Sequence, residues 1–589
     1  GERGPGVYAR ESDFAATSLA NLLAAGAAAP EALQALAEEF PLAEAAVEAS
    51  LRAASIWQAR GQPLKALEAL THIHRLGDGR AAPRILAAMV ELCLTQDWRD
   101  QAAEILRMAV EFRGDPRLVI HAVENSASAW LASLGPVGAP PARPLMGDSL
   151  TTAGDPLPGQ VVPLHAAARG VRRTDALLLL DGATLRLLEA PQMQQRWSVN
   201  IGEGGAQALR FTNQEIVLWL GGVTSEPRVV GLNPADGSQR WITPRLSELL
   251  PLPAAALADK PQIVGGQAVA GTETIPLLGG GRLVLARRSG GVVAFDAADP
   301  ERVRWRRERT LDQVHFAHLS DAALVLIGLK YPPAGQAGMN GAILVIDPDS
   351  GEIRHDLETT DLRSVRWAAI TPMSELAYAT DSGIQMIDLL SGRSLWSNRG
   401  AAARSTRNGW PAGMHVIVED GAAELRSIRC HDGAMSDPFD APIRGEWSPR
   451  DLREVMLDDG QILVRYADRI IRFAVDGRRL GADVVVDERD YRWLLVGRGI
   501  DNSPRLLAIS QHKPVQAQDA ERGARFTVHA YTLYLMAGDC RLLGREISQV
   551  QGLTGPLEEA LALDQVLALS VKASQGGPAR TYLIPMPAP

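Results

Sequence analysis

A metal site needs several imidazole, thiolate or carboxylate groups at one point, and two stretches bring imidazoles close: His72-Ile73-His74 and His315-Phe316-Ala317-His318. The first pair lies in a helical pattern, where positions two apart point to different faces, so one ion does not join them. The second would converge only on a helix, and its surroundings read as strand or loop. Cys93, Cys430 and Cys540 stand too far apart for a CxxC metal motif and form no disulfide framework. The chain has no GxSxG, no HExxH and no phosphate-cradling glycine loop; Gly279-Gly280-Gly281 precedes a strand and reads as a turn. Arg304-Trp305-Arg306-Arg307-Glu308-Arg309 is the one basic cluster with an aromatic. However, 60 Lys and Arg stand against 69 Asp and Glu, a net charge of -9, which argues against a broad nucleic-acid surface. The cluster therefore reads as a solvated strand edge. No catalytic residue, cofactor or metal is expected.

A structural motif recurs instead. Gly231-Leu232-Asn233-Pro234-Ala235-Asp236-Gly237-Ser238-Gln239-Arg240-Trp241 is its clearest copy. The same order returns from Val345 to His355 and from Met386 to Trp396, with a variant from Ala294 to Trp305 and a degenerate first copy from Glu189 to Trp197. A polar residue stands eight positions before a planar one in Glu189/Trp197, Asn233/Trp241, Asp347/His355 and Asp388/Trp396, and nine before it in Asp296/Trp305. Gly237, Gly351 and Gly392 lie four before the planar residue. Chemically this is a strand, an Asx turn with glycine at positive φ, and a returning strand that ends in a flat side chain. A flat side chain repeated once per sheet can wedge between neighbouring sheets and lock them into a ring.

These copies resemble the quinoprotein-type repeat, found in quinone-dependent alcohol dehydrogenases and in the outer-membrane assembly lipoprotein of Gram-negative bacteria. The resemblance implies a β-propeller. Later copies decay: 427–437 keeps Asp432-Gly433, 473–484 keeps Asp476-Gly477, and 531–546 keeps only the strand–turn–strand rhythm. The copy spacing fits eight blades, with seven as the alternative. The dehydrogenase members of the family use adjacent cysteines over the quinone and a calcium beside a catalytic aspartate. This chain has no adjacent cysteines, and its repeat aspartates are accounted for by turn chemistry. A quinone-dependent enzyme and a polymer- or sugar-binding propeller stay as the alternatives.

The elements ahead of the repeats differ. Over 1–134 apolar residues recur three or four apart, predicting helices at 13–25, 31–40, 42–60, 63–76, 83–95, 98–112 and 116–134. The segment 57–67 lines up with 93–103, placing Ala66 and Ala102 at equivalent helix starts 36 apart. This resembles the tetratricopeptide pattern, in which small residues let paired helices pack closely. Residues 135–160 are rich in Pro and Gly and read as a linker. From 161 to 589, β-branched and leucine-rich strands alternate with turns, apart from short helical stretches near 247–250 and 557–563. The final strands near 566–571 and 580–585 are expected to share a blade with a first strand near 161–164.

The fold class is thus multidomain α + β, a helical repeat followed by a propeller. The expected function is a non-catalytic scaffold whose partners are other proteins in a larger bacterial assembly. No apolar run is long enough to span a bilayer. The opening Gly1-Glu2-Arg3-Gly4-Pro5-Gly6 reads as a piece of a longer polypeptide, and the resemblance implies an extracytoplasmic site.

Overall fold

The computed structural model describes residues 9–24, 29–76, 82–134, 156–164, 173–190, 192–202, 205–221, 228–250, 263–264, 267–268, 274–279, 281–297, 299–330, 340–421, 424–439, 454–458, 461–465, 469–480, 484–485, 491–498, 504–511, 515–518, 525–528, 531–536, 542–548, 557–563, 566–571 and 579–585. Most of the expected linker falls outside this set.

Among the described residues the N-terminal part has seven helices: α1 (Ala9–Ala24), α2 (Pro30–Glu39), α3 (Glu44–Ala59), α4 (Pro63–Leu76), α5 (Ala82–Thr95), α6 (Arg99–Arg113) and α7 (Ala127–Ser133). The α3–α4 and α5–α6 connections are copies of one another. Gly61 and Asp97 both adopt positive φ, +69° and +57°. Gln62 N donates to Trp57 O at 2.9 Å, and Trp98 N donates to Cys93 O at 2.8 Å. Ala66 and Ala102 are fully buried one turn later, where a larger side chain would hold the paired helices apart.

The helix expected over 116–134 is replaced by a hairpin, Arg117–Ile120 with Val123–Ser126, followed by the short α7. The cause is local. Gly114 and Asp115 at positive φ stop α6, His121 and Ala122 make a two-residue turn at φ +49° and +63°, and Leu118 and Ile120 bury alternately. Asp115 then accepts bonds from both the backbone N–H (2.8 Å) and the hydroxyl (2.7 Å) of Ser128, anchoring the start of α7.

The remainder is antiparallel sheet. Among the described residues there are eight four-stranded sheets and one of three strands. In chain order they span 160–200, 205–242, 274–307, 313–359, 367–398, 408–429, 454–485, 491–548 and 557–585. These are nine sheets of three or four strands among the described residues, and the decayed copies beyond 437 carry no clear motif by which to number the last of them. The stretch near 557–563 is a strand, Leu557–Ala562, where a helical period is expected. Successive sheets share apolar cores: first with second, second with third, and on to the seventh. The ninth shares one with the first.

The ends meet as expected, with a shift of a few residues. Leu157–Pro158, not 161–164, adds the fourth strand to the ninth sheet by pairing with Arg580–Pro585. Gln160–Val161 begins the first sheet. Gly159 between them is at φ +107°, and a Cβ there would sit 2.8 Å from Leu180 O. Its carbonyl accepts from Thr581 Oγ1 at 2.9 Å, and Val161 N donates to Ser570 Oγ at 3.1 Å.

Candidate interaction site

In the fourth sheet's last turn, Asp347 Oδ1 accepts from the N–H groups of Asp349 (2.8 Å) and Ser350 (3.0 Å), and Gly351 N donates to Asp347 O at 2.9 Å. Gly351 is at φ +74°. Burial pushes the Asp347 carboxyl up, but its bonds to Arg354 and the turn amides outweigh this and hold it below the usual carboxylate range. The other two clear copies repeat the geometry. Asn233 Oδ1 accepts Ala235 N at 3.1 Å, and Asp388 Oδ1 accepts Leu390 N at 3.2 Å. Gly237 and Gly392 are at φ +73° and +71°.

Each of these turns receives the flat side chain of the preceding sheet. Trp197 lies against Gly237, Trp305 against Gly351 and His355 against Gly392, so closely that a Cβ would come within 2.6–2.7 Å of each ring. The ring nitrogen meets a turn carbonyl in every case: Trp197 Nε1 to Pro234 O and Trp305 Nε1 to Pro348 O at 2.9 Å, His355 Nε2 with Leu390 O at 2.8 Å. Trp396 does the same with Gly433, its Nε1 donating to Cys430 O at 2.6 Å. Glycine is needed at these points twice over, for positive φ and for room.

Two repeat residues depart from this joint. Trp241 covers Gly231 of its own sheet and donates to Glu215 Oε1 at 3.0 Å. The third sheet's turn is shorter, with Asp296 facing Asp299 directly, and presents no docking glycine to Trp241. Two further joints escaped the motif reading. Trp367 packs on Gly409, and Phe439 packs on Gly477. The Asp476-Gly477 pair was the visible signal for the second. The first has none, since Trp367 opens a sheet instead of closing one.

The histidines do not converge. His315 stands at a bulge of the strand Gln313–Leu319 and is exposed, whereas His318 is in the regular ladder opposite Val325. Burial holds His318 down to about 4. His72 and His74 are on α4. Among the described residues no group of three or more His, Cys, Asp or Glu side chains is arranged to hold a metal ion. Of the basic cluster, Arg304 pairs with Asp349 at 2.7 Å, Arg307 bonds Gly351 O and Arg309 bonds Asp312.

The helical array is seated on one face of the sheets. Turns 320–323, 371–374 and 389–393 join first to second or third to fourth strands, and so they share a face. Ala322, Met373 and Leu390 from these turns belong to the helical core. Gln101, in the first turn of α6, donates its backbone N–H to Asp321 Oδ2 at 2.5 Å and its side-chain amide to Pro372 O at 2.9 Å. A carboxylate from the sheets thus occupies the positive end of a helix from the array. Asp321 is 2% exposed and Gln101 6%. Further along, Arg393 pairs with Glu38 at 3.4 Å, beside a cavity of about 250 Å³ between α2–α4 and the fifth and sixth sheets.

Residues 181–436 match the family model described as outer membrane protein assembly factor BamB, a PQQ-like repeat model. Over that stretch the chain is similar to PQQ-like repeat proteins. The matched segment opens in the first sheet and closes just beyond the Gly433 joint, so it covers the copies in which turn and flat side chain are best kept. Among solved structures, BamB from Moraxella catarrhalis is 11% identical, with a TM-score of 0.33 over 73% of this chain and 97% of that one. The computationally designed Ika8 protein is also 11% identical, with a TM-score of 0.37 over 68% of this chain and 98% of that one. No curated protein matches the chain. Among the described residues no helix is long and apolar enough to cross a membrane.

Proposed function

We propose that this protein is a non-catalytic scaffold that holds other proteins in a bacterial assembly, with each of the nine sheets a blade of one ring. The observation that carries this reading is the seating of a helical array on the turns of the fourth to sixth sheets. That arrangement joins two surface-forming modules into one body. The repeat residues support it from the other side. Their polar atoms are taken up by turns and blade joints, which leaves them a structural task. The α3–α4 and α5–α6 pairs, with their copied turns, fit a tetratricopeptide-like array, a module that presents a groove. The description of the matched family as an assembly factor agrees with the scaffold role and with an extracytoplasmic site.

The test is native purification from the source organism with chemical crosslinking and mass spectrometry. A protein in fixed stoichiometry, crosslinked to the helical array or to the turns that carry it, is the expected result. A chain that purifies alone with a bound quinone and oxidises alcohols would overturn the reading.

A further inference from the structure

The contact between the helical array and the propeller is uneven. At α6 it is close and buried. Asp321 and the carbonyl of Pro372 both bond Gln101, and Ala322 and Met373, the next residues along, are buried in the helical core. At the other edge Leu390 also enters the helical core, but around it α2–α4 lie over a cavity of about 250 Å³ lined by polar and charged side chains such as Glu68, His72, Asp388 and Arg393. The ion pair recorded across it, Glu38 with Arg393, has side chains 44% and 69% exposed, a kind of pair that holds little.

Carboxylates gather at this edge. Glu68 from α4, Glu38 from α2 and Asp388 from the fifth sheet face one another, with Arg393 as the cation on the propeller side. Lys65 also acts on Glu68, but its ammonium lies over the Trp57 ring at 4.4 Å. His72 and His431 line the same cavity.

We propose that the helical array is hinged on the propeller, fixed at α6 and able to part from the fifth sheet along the α2–α4 edge, with proton uptake at that edge drawing it shut. Burial, and then the neighbouring Asp388, raise Glu68 above the usual carboxylate range while the edge is closed. Opening the edge admits water and separates the two carboxyls, which returns Glu68 to its ordinary value. The closed state therefore binds the proton more tightly. It is favoured as pH falls towards the raised value and loses that advantage as pH rises above it.

Hydrogen–deuterium exchange on the full chain, corrected for the intrinsic chemical rate and compared at about pH 5 and about pH 8, tests this. In the wild type, Pro63–Leu76 and the turn 388–395 should be several-fold better protected at the lower pH, while the start of α6 and the turn 320–323 stay equally protected at both. Glu68→Gln should hold the low-pH protection at both values. Arg393→Gln, at an exposed position that leaves folding intact, should weaken the α2–α4 edge at both values and spare α6. Equal protection of the edge at both pH values in the wild type, or a pH response kept in Glu68→Gln, overturns the proposal. So does loss of protection at α6 together with the edge in Arg393→Gln, since the array would then move as one rigid body.

Discussion

A flat side chain on a glycine is the unit from which this molecule is built, and its cost of removal can be stated. Trp197 is 7% exposed, covers Gly237 and donates to Pro234 O. Trp197→Ala should destabilise the propeller by about 3–5 kcal/mol, read as a lower midpoint in urea unfolding. Trp241→Ala should cost a similar amount because the ring is buried, although its partner is Glu215 of its own sheet. Gly351→Ala tests the other half of the joint. A Cβ there meets the Trp305 ring at 2.6 Å and the backbone stays at φ +74°, so a loss of about 2–3 kcal/mol is expected. His318 supplies a pH test. Its folded value of about 4 lies below the ordinary histidine value, so between the two the unfolded chain binds the extra proton. Stability is full above about pH 6.5 and falls as pH drops towards 4, by about 3 kcal/mol. His318→Gln should flatten the pH dependence of the unfolding midpoint across that window; an unchanged slope would remove His318 from the account.

At the scale of elements, the ring depends on a closure only two residues long. Leu157–Pro158 pairs with Arg580–Pro585, a strand that also pairs with Val566–Val571. Deleting residues 580–589 removes an interior strand from the ninth sheet and exposes apolar surface such as Leu567 and Leu569. Calorimetry should show loss of the cooperative transition, because an opened ring leaves the cores on both sides of the gap half covered. The element best read in advance was the turn. Asn233, Asp347 and Asp388 act through their own backbone neighbours, so a short window of residues contains the whole interaction. The element misread was 116–134. Its apolar spacing admits a helix, but Leu118 and Ile120 bury against α5 with a period of two, which only the fold of α5 and α6 decides.

For the whole molecule, the decisive contact is Asp321 at the start of α6. It joins residues 220 apart in the chain, and no local pattern marks it. Asp321→Ala leaves that helix end without its partner inside a buried contact, a loss of about 1–2 kcal/mol. Limited proteolysis should then cut the helical array faster than the propeller, whereas uniform resistance would show that Asp321 does not hold the two parts together.

The sequence by itself determined the sheets, the turns and most of the blade joints, because an Asx turn, a positive-φ glycine and a flat side chain eight residues on are short-range features that repeat. It also determined the helical pairs, through Ala66, Ala102 and their copied turns. Only the tertiary structure decided which residues close the ring, that Trp241 turns to its own sheet, and that the helices sit on the fourth to sixth sheets. Those outcomes come from contacts between residues far apart in the chain. Such contacts depend on shape and on the burial of a few polar groups, and leave no period to read.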